Sequence, residues 1–161
     1  MDRQSADYEG DFYAWTIRQA AAIRRVAELR PNEEVDWENV AEEIESLGRN
    51  ELDTVYSHLE TIIEHLLKLA CSPAVNPHRG WRVTVDKTRR HLKRKLTGSL
   101  RRKLRDEFPD AWAGGRKDAI AGLADDGVSV ADLPADCPWT FEQLLDEDFW
   151  PETPARGDIP S

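Results

Sequence analysis

His58 and His65 are the residues of this chain whose type most readily suggests chemistry. Seven residues apart on a helix, they fall within about 20° of each other around its axis. They are also about 10 Å apart along it, whereas two histidines of one helix that share an ion normally sit at i and i+4. Neither His-Glu-x-x-His nor the Glu-x-x-His of di-metal bundles occurs, so no metal ligand is assigned. The plainer expectation is two boundary histidines, each hydrogen-bonded to a neighbouring helix, with His65 the more buried. Glu42, Glu43 and Glu45 suggest acid–base work. Glu43 and His58, however, are about 22 Å apart along a straight helix. The acidic residues are expected to form a solvated face or to pair with Arg90, Arg94 or Arg101 across a helix hairpin. An enzyme or metal protein would have to draw on Glu42, Glu43, His58 and His65, and no catalytic role is assigned to any of them.

The cations offer a second chemistry. Net charge is −9 over 161 residues, but it is unevenly spread. Residues 32–64 hold eleven acidic residues against Arg49 alone, and residues 82–105 hold eleven basic residues against Asp86 alone. Residues 106–161 are acidic again. A basic segment of this density attracts phosphates by counterion release, with Arg89, Arg90, Lys93, Arg94, Arg101 and Arg102 as the candidate polyanion contacts. The competing and preferred expectation is that the flanking acidic segments neutralise it inside the fold or across a dimer interface. The aromatic residues of the C-terminal segment, Trp139, Phe141, Phe149 and Trp150, do not interleave with these cations, which argues against base stacking.

Other chemistry is not signalled. Glycine-rich phosphate loops, nucleophile elbows and Cys/His triad spacings are absent, and no cofactor is expected. Cys71 and Cys137 lack a C-x-x-C spacing and read as free thiols. No apolar run approaches the roughly 20 residues that cross a bilayer. The segment Met1 to Gly10 is acidic with no apolar core, unlike a secretory signal. A cytoplasmic protein without membrane contact is expected.

The elements that position these residues are helical. Asp11 caps a first helix that runs to about Leu29, with Phe12, Trp15, Ala22, Ile23, Val26 and Leu29 at helical spacing. A second helix from Asp36 to Cys71 carries Trp37, Val40, Ile44 and Leu47, then Leu52, Val55, Leu59, Ile62, Leu66 and Leu69. Its apolar stripe changes phase at Gly48, where a bend or break is expected. Pro73 and Pro77 end it. A third helix should run from about Gly80 to Arg105, softened at Gly98 and Ser99, and return beside the second. Pro109 suits the first turn of a fourth over Asp110 to Asp125, weakened by Gly114-Gly115. Trp112, Ala113, Ile120, Leu123 and Ala124 are its expected inward positions. Thr140 and Gln143 match a capping box for a short helix Phe141 to Leu145. Trp15, Trp37 and Trp81 read as core anchors, whereas Trp139 and Trp150 should clamp the C-terminal segment onto the bundle. The expected fold is all-α: a single-domain helical bundle over residues 1–161, built on a long antiparallel helix hairpin, with about four main helices plus a short C-terminal one. Its core covers about 8–152, and residues 153–161 form a flexible tail.

Five of these segments carry a resemblance: Glu9 to Trp15, Asp36 to Arg49 (Asp-Trp-Glu-Asn-Val-Ala-Glu-Glu-Ile-Glu-Ser-Leu-Gly-Arg), His65-Leu66-Leu67-Lys68, Trp81, and Cys137 to Leu145. Together they are similar to the bacterial family catalogued as domain of unknown function, number twenty-nine, over roughly residues 8–152. The resemblance implies a bacterial all-helical fold and no activity, substrate or cofactor. Gly114-Gly115 and Val40 depart from its pattern. The functional expectation is a non-enzymatic interaction or scaffold protein with a protein partner or a second copy of itself. Nucleic-acid binding through the basic helix is the alternative, and an enzyme or metal protein the third.

Overall fold

The computed structural model describes residues 3–30 and 34–154, the side chains of residues 3–6 apart. The expected flexible tail lies mostly outside them. The fold is an all-α bundle, and no strand occurs among the described residues. Among the described residues seven α-helices follow in order: α1 (Arg3–Gly10), α2 (Phe12–Leu29), α3 (Trp37–Cys71), α4 (His78–Lys95), α5 (Gly98–Asp106), α6 (Phe108–Leu123) and α7 (Phe141–Leu145). The chain divides into two compact units, Met1–Val55 with Leu96–Leu104 and Tyr56–Lys95 with Arg105–Ser161.

In the first unit, α2 begins where the Asp11 carboxylate accepts the Ala14 N–H at 3.1 Å. The same carboxylate reaches residues far along the chain. It accepts the Thr97 hydroxyl at 3.1 Å and the Ser99 N–H at 2.9 Å, and the Ser99 hydroxyl also donates to it. These contacts correct the expected third helix, which is two helices. The chain leaves helical geometry at Leu96-Thr97, and Thr97 restarts it by accepting the Arg101 N–H on its carbonyl at 2.9 Å. The break expected at Gly48 does not occur, since α3 runs unbroken for 35 residues. A Cβ at Gly48 would collide with the Thr16 side chain and approach Tyr13, so this glycine allows α2 to lie close against α3. Thr16 and Ala20 are the buried residues of α2. The expected core position Leu29 is exposed, and Phe12 and Trp15 form a half-buried aromatic cluster with Tyr8 of α1. No sequence feature had indicated α1.

In the second unit, the C-terminal half of α3 and α4 form the antiparallel hairpin, with the His58 and His91 rings 6.0 Å apart between them. Leu59, Ile62, Ile63, Leu66 and Leu69 of α3 and Val85 and Leu92 of α4 are fully buried. Helix α6 packs on α3 through small residues. Ala111, Gly115 and Ala119 are buried, four residues apart and so on one face. A Cβ on Gly115 would lie 2.8 Å from the Glu60 carbonyl oxygen and 2.8 Å from the Ile63 Cβ. Gly115, one of the two glycines that weaken the isolated helix, is therefore what seats it. Ala113 and Ala124, expected inward, are exposed. The expected fourth helix stops two residues early, at Leu123, and Ala124–Asp126 form a 3-10 turn closed by Gly127 at φ 75°, the left-handed conformation that favours glycine. Thr140 and Gln143 form the expected capping box of α7.

Candidate functional site

The acidic residues at the start of α3 are neutralised by their own unit. Arg24 of α2 donates to Glu38 at 3.2 Å, Glu42 at 3.4 Å and Glu45 at 2.6 Å. Arg49 donates to Glu42 at 2.6 Å. The hydrogen bonds to Glu45 and Glu38 hold the Arg24 guanidinium above its usual pKa range. The expected pairing of Glu42 and Glu45 with Arg90, Arg94 or Arg101 is thus corrected: the cation comes from α2, four residues C-terminal to Ala20, and from α3 itself. Arg24 sits in a stretch of balanced charge, so counting by segment hid it. Glu43 is exposed.

The stripe Val40, Ile44 and Leu47 on this half of α3 was expected in the core. Val40 is 38 % exposed and Leu47 50 %. The phase change at Gly48 is real, and its physical meaning is that the two apolar stripes of one continuous helix point in different directions. Beyond Gly48, Val55, Leu59, Ile62, Leu66 and Leu69 are buried, whereas before it Val40 and Leu47 meet solvent.

Helix α4 separates its cations by face. Val85, Thr88, Arg89 and Leu92 point inward. Val83, Lys87, Arg90 and Arg94, spaced i, i+4, i+7 and i+11, lie on one outer stripe and are exposed. Among the described residues no carboxylate lies within ion-pairing distance of Lys87, Arg90 or Arg94. Lys93 is 3.8 Å from Glu147. Arg101 and Arg102 are exposed on α5, in the other unit's share of the chain.

Arg89 leaves the candidate polyanion set. It is 1 % exposed, and its guanidinium donates to the carbonyls of Leu144 at 2.9 Å, Phe149 at 2.9 Å and Gln143 at 3.3 Å. Trp150 packs on it at 5.1 Å and on Arg82 at 4.6 Å. Burial lowers the Arg89 pKa, against the pull of Asp86, Asp146 and Glu147. Arg89 caps the carbonyl end of α7 and holds the segment that Trp139 and Trp150 were expected to clamp. Trp139 meets Trp112 and Phe149 edge-on, each at 6.2 Å, and the Trp112 indole N–H donates to Ala135 at 3.1 Å.

Of the polar set Glu42, Glu43, His58 and His65, the two glutamates belong to the first unit and the two histidines to the second. His65 Nδ1 lies 2.9 Å from the Thr61 carbonyl of its own helix, which makes Nδ1 the protonated nitrogen. The expected bond to a neighbouring helix is therefore replaced by one within α3. His58 faces His91, and burial, then His91 and Lys95, push its pKa down. Glu64 accepts from Lys68. Cys71 and Cys137 are free and half-buried, and burial raises both thiol pKa values, which disfavours the reactive thiolate.

Fold and faces together define an all-α bundle protein that closes an acidic network at one end of α3 and leaves a basic stripe open on α4. The chain belongs to the family described as Domain of unknown function DUF29, which it matches over residues 8–150. It is similar to an α-helical protein of unknown function from Rhodospirillum rubrum, with 28 % identity and a TM-score of 0.77 over 88 % of this chain and 90 % of that one. Among curated proteins no sequence matches it.

Proposed function

We propose that this chain is a non-enzymatic helical interaction protein of the bacterial cytoplasm that binds an acidic protein surface through the outer face of α4. The observation that carries this reading is the open stripe Lys87, Arg90 and Arg94, without an ion-pair partner among the described residues, on a chain whose acidic segment has its own arginines. Exposed charge of one sign on a rigid helix steers and orients an oppositely charged partner. The residues that suggested acid–base chemistry have structural partners: Glu42 binds Arg24 and Arg49, His65 binds Thr61, and His58 packs on His91. No described helix is long and apolar enough to cross a membrane.

Nucleic acid is the second reading, favoured by the same stripe. Against it stand the net charge of −9, which repels a polyanion, and the engagement of Trp150 by Arg82 and Arg89, which leaves it unavailable for stacking. Binding of a fluorescent polyglutamate and of duplex DNA, compared between the natural chain and K87E/R90E/R94E, tests both. The proposal expects salt-sensitive binding of polyglutamate that the triple reversal abolishes. Tighter binding of DNA, lost in the same variant, would replace it with the nucleic-acid reading. Equal binding by both proteins would overturn both readings.

A further inference from the structure

Resting on that reading, we infer that His91 is a proton-gated fourth cation of the α4 binding face, so that the acidic partner is held more tightly when this histidine is protonated. The stripe Lys87, Arg90 and Arg94 has two flanks by helical position. Lys93 lies on one, where Glu147 is 3.8 Å away. His91 lies on the other, four residues beyond Lys87 and three before Arg94, and residues at these spacings are neighbours on a helix surface. It is exposed, and its ring forms no ion pair with a carboxylate among the described residues. Instead it faces the ring of His58 on α3, 6.0 Å away across the hairpin.

The titratable and charged groups that surround His91 are His58 from α3 and, on its own helix, Lys87, Arg90, Arg94 and Lys95. Each is a cation or becomes one on protonation. A charge that a neighbouring carboxylate neutralises, as Glu147 does for Lys93, adds little to the outer field of a helix, whereas one without such a neighbour adds to it in full. A proton on His91 therefore extends the stripe by one charge. Carboxylates of a docked partner supply the missing counter-charge, and by linkage partner binding and protonation then favour each other. Histidine gains its charge as pH falls through about 6.5, so affinity rises over that range and levels off below it. His58 does not contribute a second charge there, because burial, then His91 and Lys95, push its pKa down.

Affinity for a fluorescent polyaspartate at about pH 7.5 and about pH 5.5 tests the inference, since aspartate, with an ordinary pKa of about 3.9, is ionised at both. The natural chain is expected to bind about two- to fivefold more tightly at the lower pH. H91Q is expected to lose this gain, and H58Q to keep it. H91K carries its charge at both pH values and is expected to bind at about pH 7.5 as tightly as the natural chain does at about pH 5.5, a result that a purely structural role for His91 would not produce. Circular dichroism checks that helicity is kept in all three variants. A natural chain that binds equally at both pH values overturns the inference. So does a gain of the same size in H91Q, or a gain that H58Q abolishes. The broader reading of α4 is judged separately, by K87E/R90E/R94E at about pH 7.5. Binding that the triple reversal abolishes leaves that reading standing whatever the pH dependence, and binding that is absent, or that the reversal leaves unchanged, removes both.

Discussion

Arg89 shows how a residue's type can mislead about its task. In sequence it is one cation among eleven, and in the fold it is a buried donor to three backbone carbonyls. Helical spacing places it between Val85 and Leu92 on the apolar side of α4, a signal that a count of charges does not read, and its partners lie more than fifty residues further along the chain. Arg89→Met keeps much of the volume and leaves those carbonyls without a donor. The cost expected from chemical denaturation is about 3 kcal/mol, with the C-terminal segment the first to lose amide protection. Arg90→Met, on the solvent face, is expected to change stability by less than about 0.5 kcal/mol. His58 makes a pH-dependent contribution. Its folded pKa lies below the ordinary 6.5 because burial, His91 and Lys95 all disfavour its charge. Above pH 6.5 the residue is largely neutral in both states and costs nothing. As pH falls below 6.5 the unfolded chain takes up the proton first, so stability declines until the folded residue is protonated too. The fall in Tm between pH 7 and pH 5 is expected to be shallower in His58→Gln.

At the scale of elements, whatever depends on neighbours in sequence was legible. The span of α3, the Asp11 cap, the stop before Pro73 and the α7 capping box all follow from spacing and capping chemistry within a few residues. The break between α4 and α5 was not, because the carboxylate that holds Thr97 and Ser99 belongs to Asp11, 86 and 88 residues away in sequence. Gly114-Gly115 was read as a helix defect because propensity is local, while the reason for Gly115 is the surface of α3. The small-residue row Ala111, Gly115 and Ala119 was the available signal. The two glycines are expected to behave differently. At Gly115 a methyl group meets backbone and a β-branched side chain, so Gly115→Ala should lower stability by about 1–3 kcal/mol through overpacking. At Gly114 it meets the flexible end of Glu60, which can swing away, so Gly114→Ala should be near neutral or stabilising by up to about 1 kcal/mol. Thermal melts of the two variants decide between these outcomes.

For the whole molecule, the uneven charge of the sequence was legible and its disposition was not. Counting by segment suggested that acidic and basic stretches cancel each other. In the fold the acidic stretch is served by Arg24 and Arg49; of the basic stretch, Lys93 and Arg105 pair with Glu147 and Glu142 of the C-terminal acidic segment, Arg89 is buried and secures that segment, and Lys87, Arg90 and Arg94 form an outer stripe that meets solvent. Of the candidate cations, Arg89 is buried, whereas Arg90 and Arg94 are exposed together with Lys87, which shares their stripe by the periodicity of α4; the proposed binding face is built on those three. The central claim is that position on α4, rather than net charge, makes the binding face. It is tested most directly by polyglutamate affinity of K87E/R90E/R94E beside R25E/R79E/K117E, which reverses the same number of exposed cations elsewhere. The account predicts lost binding in the first variant and near-natural binding in the second. Equal loss in both, or none in either, would contradict it.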